Sequence, residues 1–140
     1  MPVPMEYRLA SQNFEQFLAE VAEEAGLGTR NQAFTTTEGV FRCFRRRLEV
    51  QDAIAFAQIL PAMLRALFVQ DWDMATKRVE TWDRSVMTAE VKALRVNHNF
   101  SPDRAIEDVA RIVRRHVDVH AFDRCLEGLP AEARVFWSDW

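Results

Sequence analysis

Six arginines stand out as residues whose type and spacing could do chemistry. Arg42, Arg45 and Arg46 fall within one helical turn of each other, and so do Arg111, Arg114 and Arg115. Guanidinium groups clustered on one helix face can grip a carboxylate or phosphate through paired N–H donors, which fixes orientation as well as charge. The competing reading is a solvated face. Glu38 lies four residues before Arg42 and Glu107 four before Arg111, the order that favours intrahelical ion pairs worth about 0.2–0.5 kcal/mol. On either reading the arginines point away from the apolar stripe of their helix.

Other reactive residue types are arranged less suggestively. His116 and His120 are four apart, with Asp123 and Cys125 following, but two imidazoles share a metal at that spacing only on an unbroken helix. Asp118, between them, is placed to end one helix and open the next, so no metal site and no cofactor is expected. Cys43 flanks an apolar stripe and Cys125 lies beside Leu126, positions suited to small buried hydrophobes and not to activated thiolates. The paired carboxylates Asp71 with Asp73 and Asp103 with Asp108 read as loop or helix-start residues. Gly26-Leu27-Gly28 follows a helical stretch, where a dinucleotide fingerprint requires a strand. No catalytic set is visible, and an enzyme would need polar groups converging from separate helices.

The elements that position the arginines are written twice. Glu38 to Arg65 aligns without a gap on Glu107 to Arg134, at the offset that carries Leu60 to Leu129. Ten of the 28 aligned positions are identical: Glu38, Val40, Arg42, Arg45, Arg46, Val50, Leu60, Pro61, Ala62 and Arg65. Chance would supply roughly two, so the duplication organises the chain. Val40, Phe41, Phe44 and Leu48 share an apolar face with Ala33 and Thr37. In the second copy Ile106, Val109, Ala110, Val113 and Val117 trace the same stripe. Thr29 or Thr35 could cap the first of these helices, and Ser101 with Pro102 the second.

Each copy continues through an acidic turn, Glu49 or Asp118, into a helix of about ten residues that runs to Leu60 or Leu129. Pro61 and Pro130 then open a fourth helix or kink the third, since proline cannot sit deep inside a continuous one. The fourth helices carry Met63, Leu64, Leu67 and Phe68 in one copy and Ala133, Phe136 and Trp137 in the other. Ahead of the first copy, Phe14, Phe17, Leu18, Val21 and Ala25 predict a helix capped at Asn13 and stopped at Gly26, with residues 1–12 as an extended lead-in. Val79, Trp82, Val86, Met87, Val91 and Leu94 form its counterpart, and Asn97-His98-Asn99 a loop. Residues 70–77 form a polar connector around Trp72. The expected fold is therefore all-α, one domain of two tandem, pseudo-symmetric four-helix repeats at 13–72 and 77–140.

The run LPAMLRALFVQDW from Leu60 to Trp72, preceded by RRRLEV and echoed by LPAEARVFW from Leu129 to Trp137, resembles the bacterial DUF2267 family, a domain of unknown function. The resemblance covers the chain from Phe14 onward. It implies a duplicated, all-helical, cytoplasmic protein with a leucine-proline step in each half. It implies no activity, so no catalytic residue is carried over.

Bulk properties exclude further classes. With 18 basic and 21 acidic residues the net charge is −3, so no global basic field exists to hold nucleic acid or an anionic membrane. The longest apolar run, Ala53 to Val69, is interrupted by Gln58, Pro61 and Arg65 and falls short of the roughly 20 residues a bilayer demands. The opening MPVPMEYRLASQNF lacks the basic and apolar regions of a signal peptide. Two cysteines at non-equivalent repeat positions suit a reduced, cytosolic setting. The expectation is a non-enzymatic module that takes a protein or a small anionic partner through its arginine faces or a groove between the halves, with a homo-oligomer left open.

Overall fold

The computed structural model describes residues 2–94 and 103–138, all helix, turn and loop, with no strand among them. Among the described residues nine helices follow in order: α1 Met5–Arg8, α2 Ala10–Ala25, α3 Arg30–Arg45, α4 Val50–Gln58, α5 Ala62–Val69, α6 Arg84–Ala93, α7 Ala105–Arg115, α8 Val119–Glu127 and α9 Ala131–Phe136. The all-helical expectation holds, and among the described residues no helix is long and apolar enough to cross a membrane.

The helix ends follow their local chemistry. Gly26 closes α2 in the left-handed conformation, at φ 68°, where a side chain would be strained. Thr29, rather than Thr35, caps α3: its side chain accepts from the Gln32 amide, while the Thr35 hydroxyl donates back to the Asn31 carbonyl inside the helix. Asp118 caps α8 by accepting from the amides of His120 and Ala121, whereas Glu49 opens α4 through its backbone alone. Pro61 and Pro130 stand as the N-caps of α5 and α9. Each leucine-proline step thus separates two helices and does not bend one. Ser101, Pro102 and the Asn97-His98-Asn99 loop lie outside the described residues.

Two expectations near the element starts are corrected. The lead-in is helical at α1, and α2 begins at Ala10, leaving Asn13 inside it with its amide bonded to the Leu9 carbonyl. The first turn of α2 is largely solvent-facing, so it has no apolar periodicity to announce it. Likewise Val79 and Trp82 precede α6, which Asp83 caps by accepting from the Val86 amide. The segment before that cap is tied to the end of α3 by the Val79 amide bonding the Arg46 carbonyl.

Packing is layered around α3 and α7. Helix α2 lies against both α3 and α7, α6 packs mainly on α3, and α4 meets α8. The core between them is aromatic. Phe41, Phe44, Phe56, Phe122 and Phe136 all surround Trp137, with Phe56 stacked on its ring at a centroid distance of 5.2 Å. All of these side chains are fully buried, and offset or edge-on pairs of this kind add about 0.5–1.5 kcal/mol each beyond area burial. Trp72 and Trp82 pack on the margin of this core. Met63 and Val86, by contrast, face solvent although their helices' apolar stripes include them.

At one point α3 and α6 approach so closely that a side chain would be tight. A Cβ on Gly39 would stand 3.2 Å from the Val91 carbonyl oxygen and 3.3 Å from its Cγ1.

Candidate functional site: the arginine faces and the groove beside α3

The six arginines do not form two equal solvated stripes. Arg45 is buried, only 6% exposed, and its Nη1 donates to the carbonyls of Phe68 at 2.8 Å and Gln70 at 2.9 Å. These are carbonyls at and just beyond the end of α5, where the helix leaves acceptors without intrahelical partners and a cation is favoured. Helix α5 has no basic residue in its own last turn, so α3 provides one. Burial, and then neighbouring Arg42, hold the Arg45 pKa below the usual guanidinium value, and the Trp72 ring lies 5.4 Å from its central carbon. Arg114 does the same work in the second half: its Nε donates to the Trp137 carbonyl at 2.7 Å and its Nη1 to Asp123 at 3.1 Å. The expectation that these two side chains point outward is corrected, because a carbonyl from another segment draws each inward.

The other four are paired at the surface. Arg42 holds Glu38 at 3.1 Å and Asp71 at 3.5 Å. Arg46 approaches Glu90 at 3.5 Å, Arg115 approaches Glu20 at 3.7 Å, and Arg111 pairs with Glu24 and, at 3.7 Å, with Asp108. Glu107 reaches Arg84, at 3.6 Å. Asp108 itself is buried, and burial together with Glu24 raises its pKa.

A seventh arginine was not singled out by the sequence. Arg47 is fully buried, and its guanidinium forms a two-pronged pair with Glu90, at 2.9 and 2.6 Å, while donating to the Cys43 carbonyl at 2.8 Å and to that of Thr81. Burial raises the pKa of Glu90, but the Arg47 hydrogen bond and charge, with the Arg46 charge and the Cys43 hydrogen bond, together outweigh it and the net shift is downward. Its aligned residue, His116, meets Glu20 at 3.2 Å. The only signal in the sequence was this alignment of Arg47 with His116, since the acidic partners lie on distant helices.

The first arginine cluster borders a groove. The groove holds about 290 Å³ between the C-terminal end of α3 and the connector after α5. Arg42, Arg45 and Arg46 line it from the helix, Lys77 and Arg78 from the connector, and Glu49, Asp71 and Asp73 are the acidic groups on its wall. Trp72, Leu48, Val50 and Met74 supply its apolar surface. Arg78 pairs with Glu49 at 3.3 Å. Asp71 adopts φ 55°, the left-handed conformation uncommon outside glycine, and this brings the connector back so that its carboxylate meets Arg42. Lys77 and Arg78 also escaped the sequence reading, because nothing in a polar connector says which helix end it will fold against.

Other reactive groups are held in structural contacts. His116 closes α7 and His120 lies in the first turn of α8, so the helix does break between the imidazoles, and no metal-binding group of three or more His, Cys, Asp or Glu occurs among the described residues. Both cysteines are free; burial pushes the Cys43 thiol up to about 12 and raises Cys125 as well. A second cleft brings Glu6, Arg65, His116 and Asp118 together. There Arg65 bonds Glu6 and the Leu60 carbonyl, His116 meets Glu20, and Asp118 caps α8.

A family model described as "Uncharacterized conserved protein (DUF2267)" matches residues 14–136. The chain belongs to the DUF2267 family. The matched span runs from the apolar face of α2 to the end of α9, so it includes both arginine clusters and both leucine-proline steps. As a DUF2267 protein the chain gains no assigned chemistry from its family. No curated protein matches it.

Proposed function

We propose that this DUF2267 protein is a non-enzymatic, cytoplasmic binding module that takes an anionic partner in the groove beside α3. The observation that carries the reading is the convergence of Arg42, Arg46, Lys77 and Arg78 on one apolar-floored groove in a chain of net charge −3. A local cationic groove on an acidic protein favours a compact acidic ligand over nucleic acid, whose charge density needs an extended basic surface. Two free cysteines fit a reducing compartment.

The two halves are further proposed to be pseudo-symmetric copies, with α2 to α5 answering α6 to α9. Supporting this, α4 and α8 begin and end at aligned positions. The Arg45 bond to the Phe68 carbonyl also has its aligned counterpart in the Arg114 bond to the Trp137 carbonyl. On this reading the arginine face was duplicated with the fold. Its inner member serves stability, and the outer members of the first copy became a ligand surface.

Equilibrium binding of poly-glutamate at two ionic strengths tests the proposal. Wild type should bind at low salt and release as salt rises. Arg42→Gln with Arg46→Gln should lose binding, and Arg111→Gln with Arg115→Gln should keep it. Arg45 and Arg114 are left intact because they hold backbone carbonyls. Equal binding by all three proteins would refute the groove as the site.

A further inference from the structure

Building on that reading of the groove, we infer that it takes an acidic peptide segment of a partner protein, whose carboxylates displace Asp71 and Glu49 from Arg42 and Arg78. The internal carboxylates show what the groove accepts. Three of its cations meet three different carboxylates, Arg42 meeting Asp71, Arg46 meeting Glu90 and Arg78 meeting Glu49. Separate carboxylate partners of this kind are reproduced by aspartates and glutamates spaced along a peptide. Between those positions lie Leu48, Val50, Trp72 and Met74, with Val50 and Met74 substantially exposed at 42% and 57%. Apolar side chains interleaved with the acidic ones would cover them.

Displacement is feasible because the resident pairs are held loosely. Asp71 is 74% exposed and stands 3.5 Å from Arg42; Glu49 is 63% exposed and stands 3.3 Å from Arg78. Pairs of that kind contribute little against water. They are also local to the groove, so exchanging them leaves the core untouched. Glu90 is different. It is bonded by buried Arg47 from the other side and stays in place, holding Arg46 at the groove edge. Asp71 therefore acts as an internal competitor, a carboxylate on a left-handed connector residue that shares Arg42 with Glu38 until a partner's carboxylate takes the place of Asp71.

The test is titration of a short capped peptide of glutamate and leucine, with a glutamine-for-glutamate version as control, into wild type, Asp71→Asn, and Arg42→Gln with Arg46→Gln. Asparagine tolerates the left-handed conformation, so Asp71→Asn removes the charge without moving the connector; thermal melts check that each variant is folded. Asp71→Asn should bind the acidic peptide roughly two- to fivefold more tightly than wild type, the range open to freeing one exposed ion pair. The arginine variant should not bind, nor should the glutamine peptide. If Asp71→Asn binds no more tightly than wild type while the arginine variant loses binding, the displacement is overturned and the groove reading stands. If pyrophosphate binds wild type and the acidic peptide does not, the peptide class is overturned. If neither probe binds any protein, both the inference and the reading beneath it fail.

Discussion

The six arginines divide by what they touch. Arg45 and Arg114 lend charge to the carbonyls of Phe68 and Trp137, so Arg45→Gln should destabilise by about 1–3 kcal/mol, the range for removing a charged donor and leaving a buried acceptor unmet. Arg115→Gln, at an exposed pair 3.7 Å long, should change stability by less than about 1 kcal/mol. Urea unfolding of the two variants checks the contrast. Helical periodicity located all six residues but could not distinguish these fates. A position on a helix wheel fixes the direction in which a side chain leaves the helix, and says nothing about which distant carbonyl arrives there.

The Arg47–Glu90 pair makes a pH prediction at the same scale. Because the folded-state pKa of Glu90 is lowered, its contribution is present above the ordinary glutamate range and is lost as pH falls through the lower folded value. Glu90→Gln should therefore melt at a lower temperature at neutral pH, leaving a buried guanidinium short of its charge partner. Below the folded pKa its deficit relative to wild type should shrink. Melting curves across that acid range would contradict the assignment if the deficit stayed constant.

At the level of elements, the helices built on long apolar stripes were the legible ones. The stripes of α3 and α7 are buried as periodicity requires, with Val40, Phe44, Val109 and Val113 at zero exposure. Phe44 touches Phe56, Trp82, Phe136 and Trp137, so Phe44→Ala should cost about 3–5 kcal/mol, and Val113→Ala less. Gly39→Ala should destabilise by about 1 kcal/mol, because the methyl group stands 3.2 Å from the Val91 carbonyl oxygen and α6 must give way slightly. Thermal unfolding measures all three. The short or exposed elements escaped: α1 is held by Arg65 bonding Glu6 and Tyr7, contacts some sixty residues away in sequence that no local pattern records.

For the molecule as a whole, the groove forms where the end of α3 meets the connector after α5. Lys77, Arg78 and Trp72 belong to the connector after α5, and they turn Arg42 and Arg46 into a lined surface. That convergence depends on how the connector folds back at Asp71, a tertiary event invisible to composition or spacing. The cleft at Glu6, Arg65 and His116 offers a contrast, since its polar groups are engaged in holding helix ends.

The location of binding is the claim on which the functional reading rests. Amide and indole NMR shifts recorded while poly-glutamate is added to wild-type protein at low salt report it directly. Shifts should concentrate at Arg42, Arg46, Trp72, Lys77 and Arg78, and should reverse as salt is added. Shifts centred on Arg111 and Arg115, or spread evenly over the surface, would contradict it.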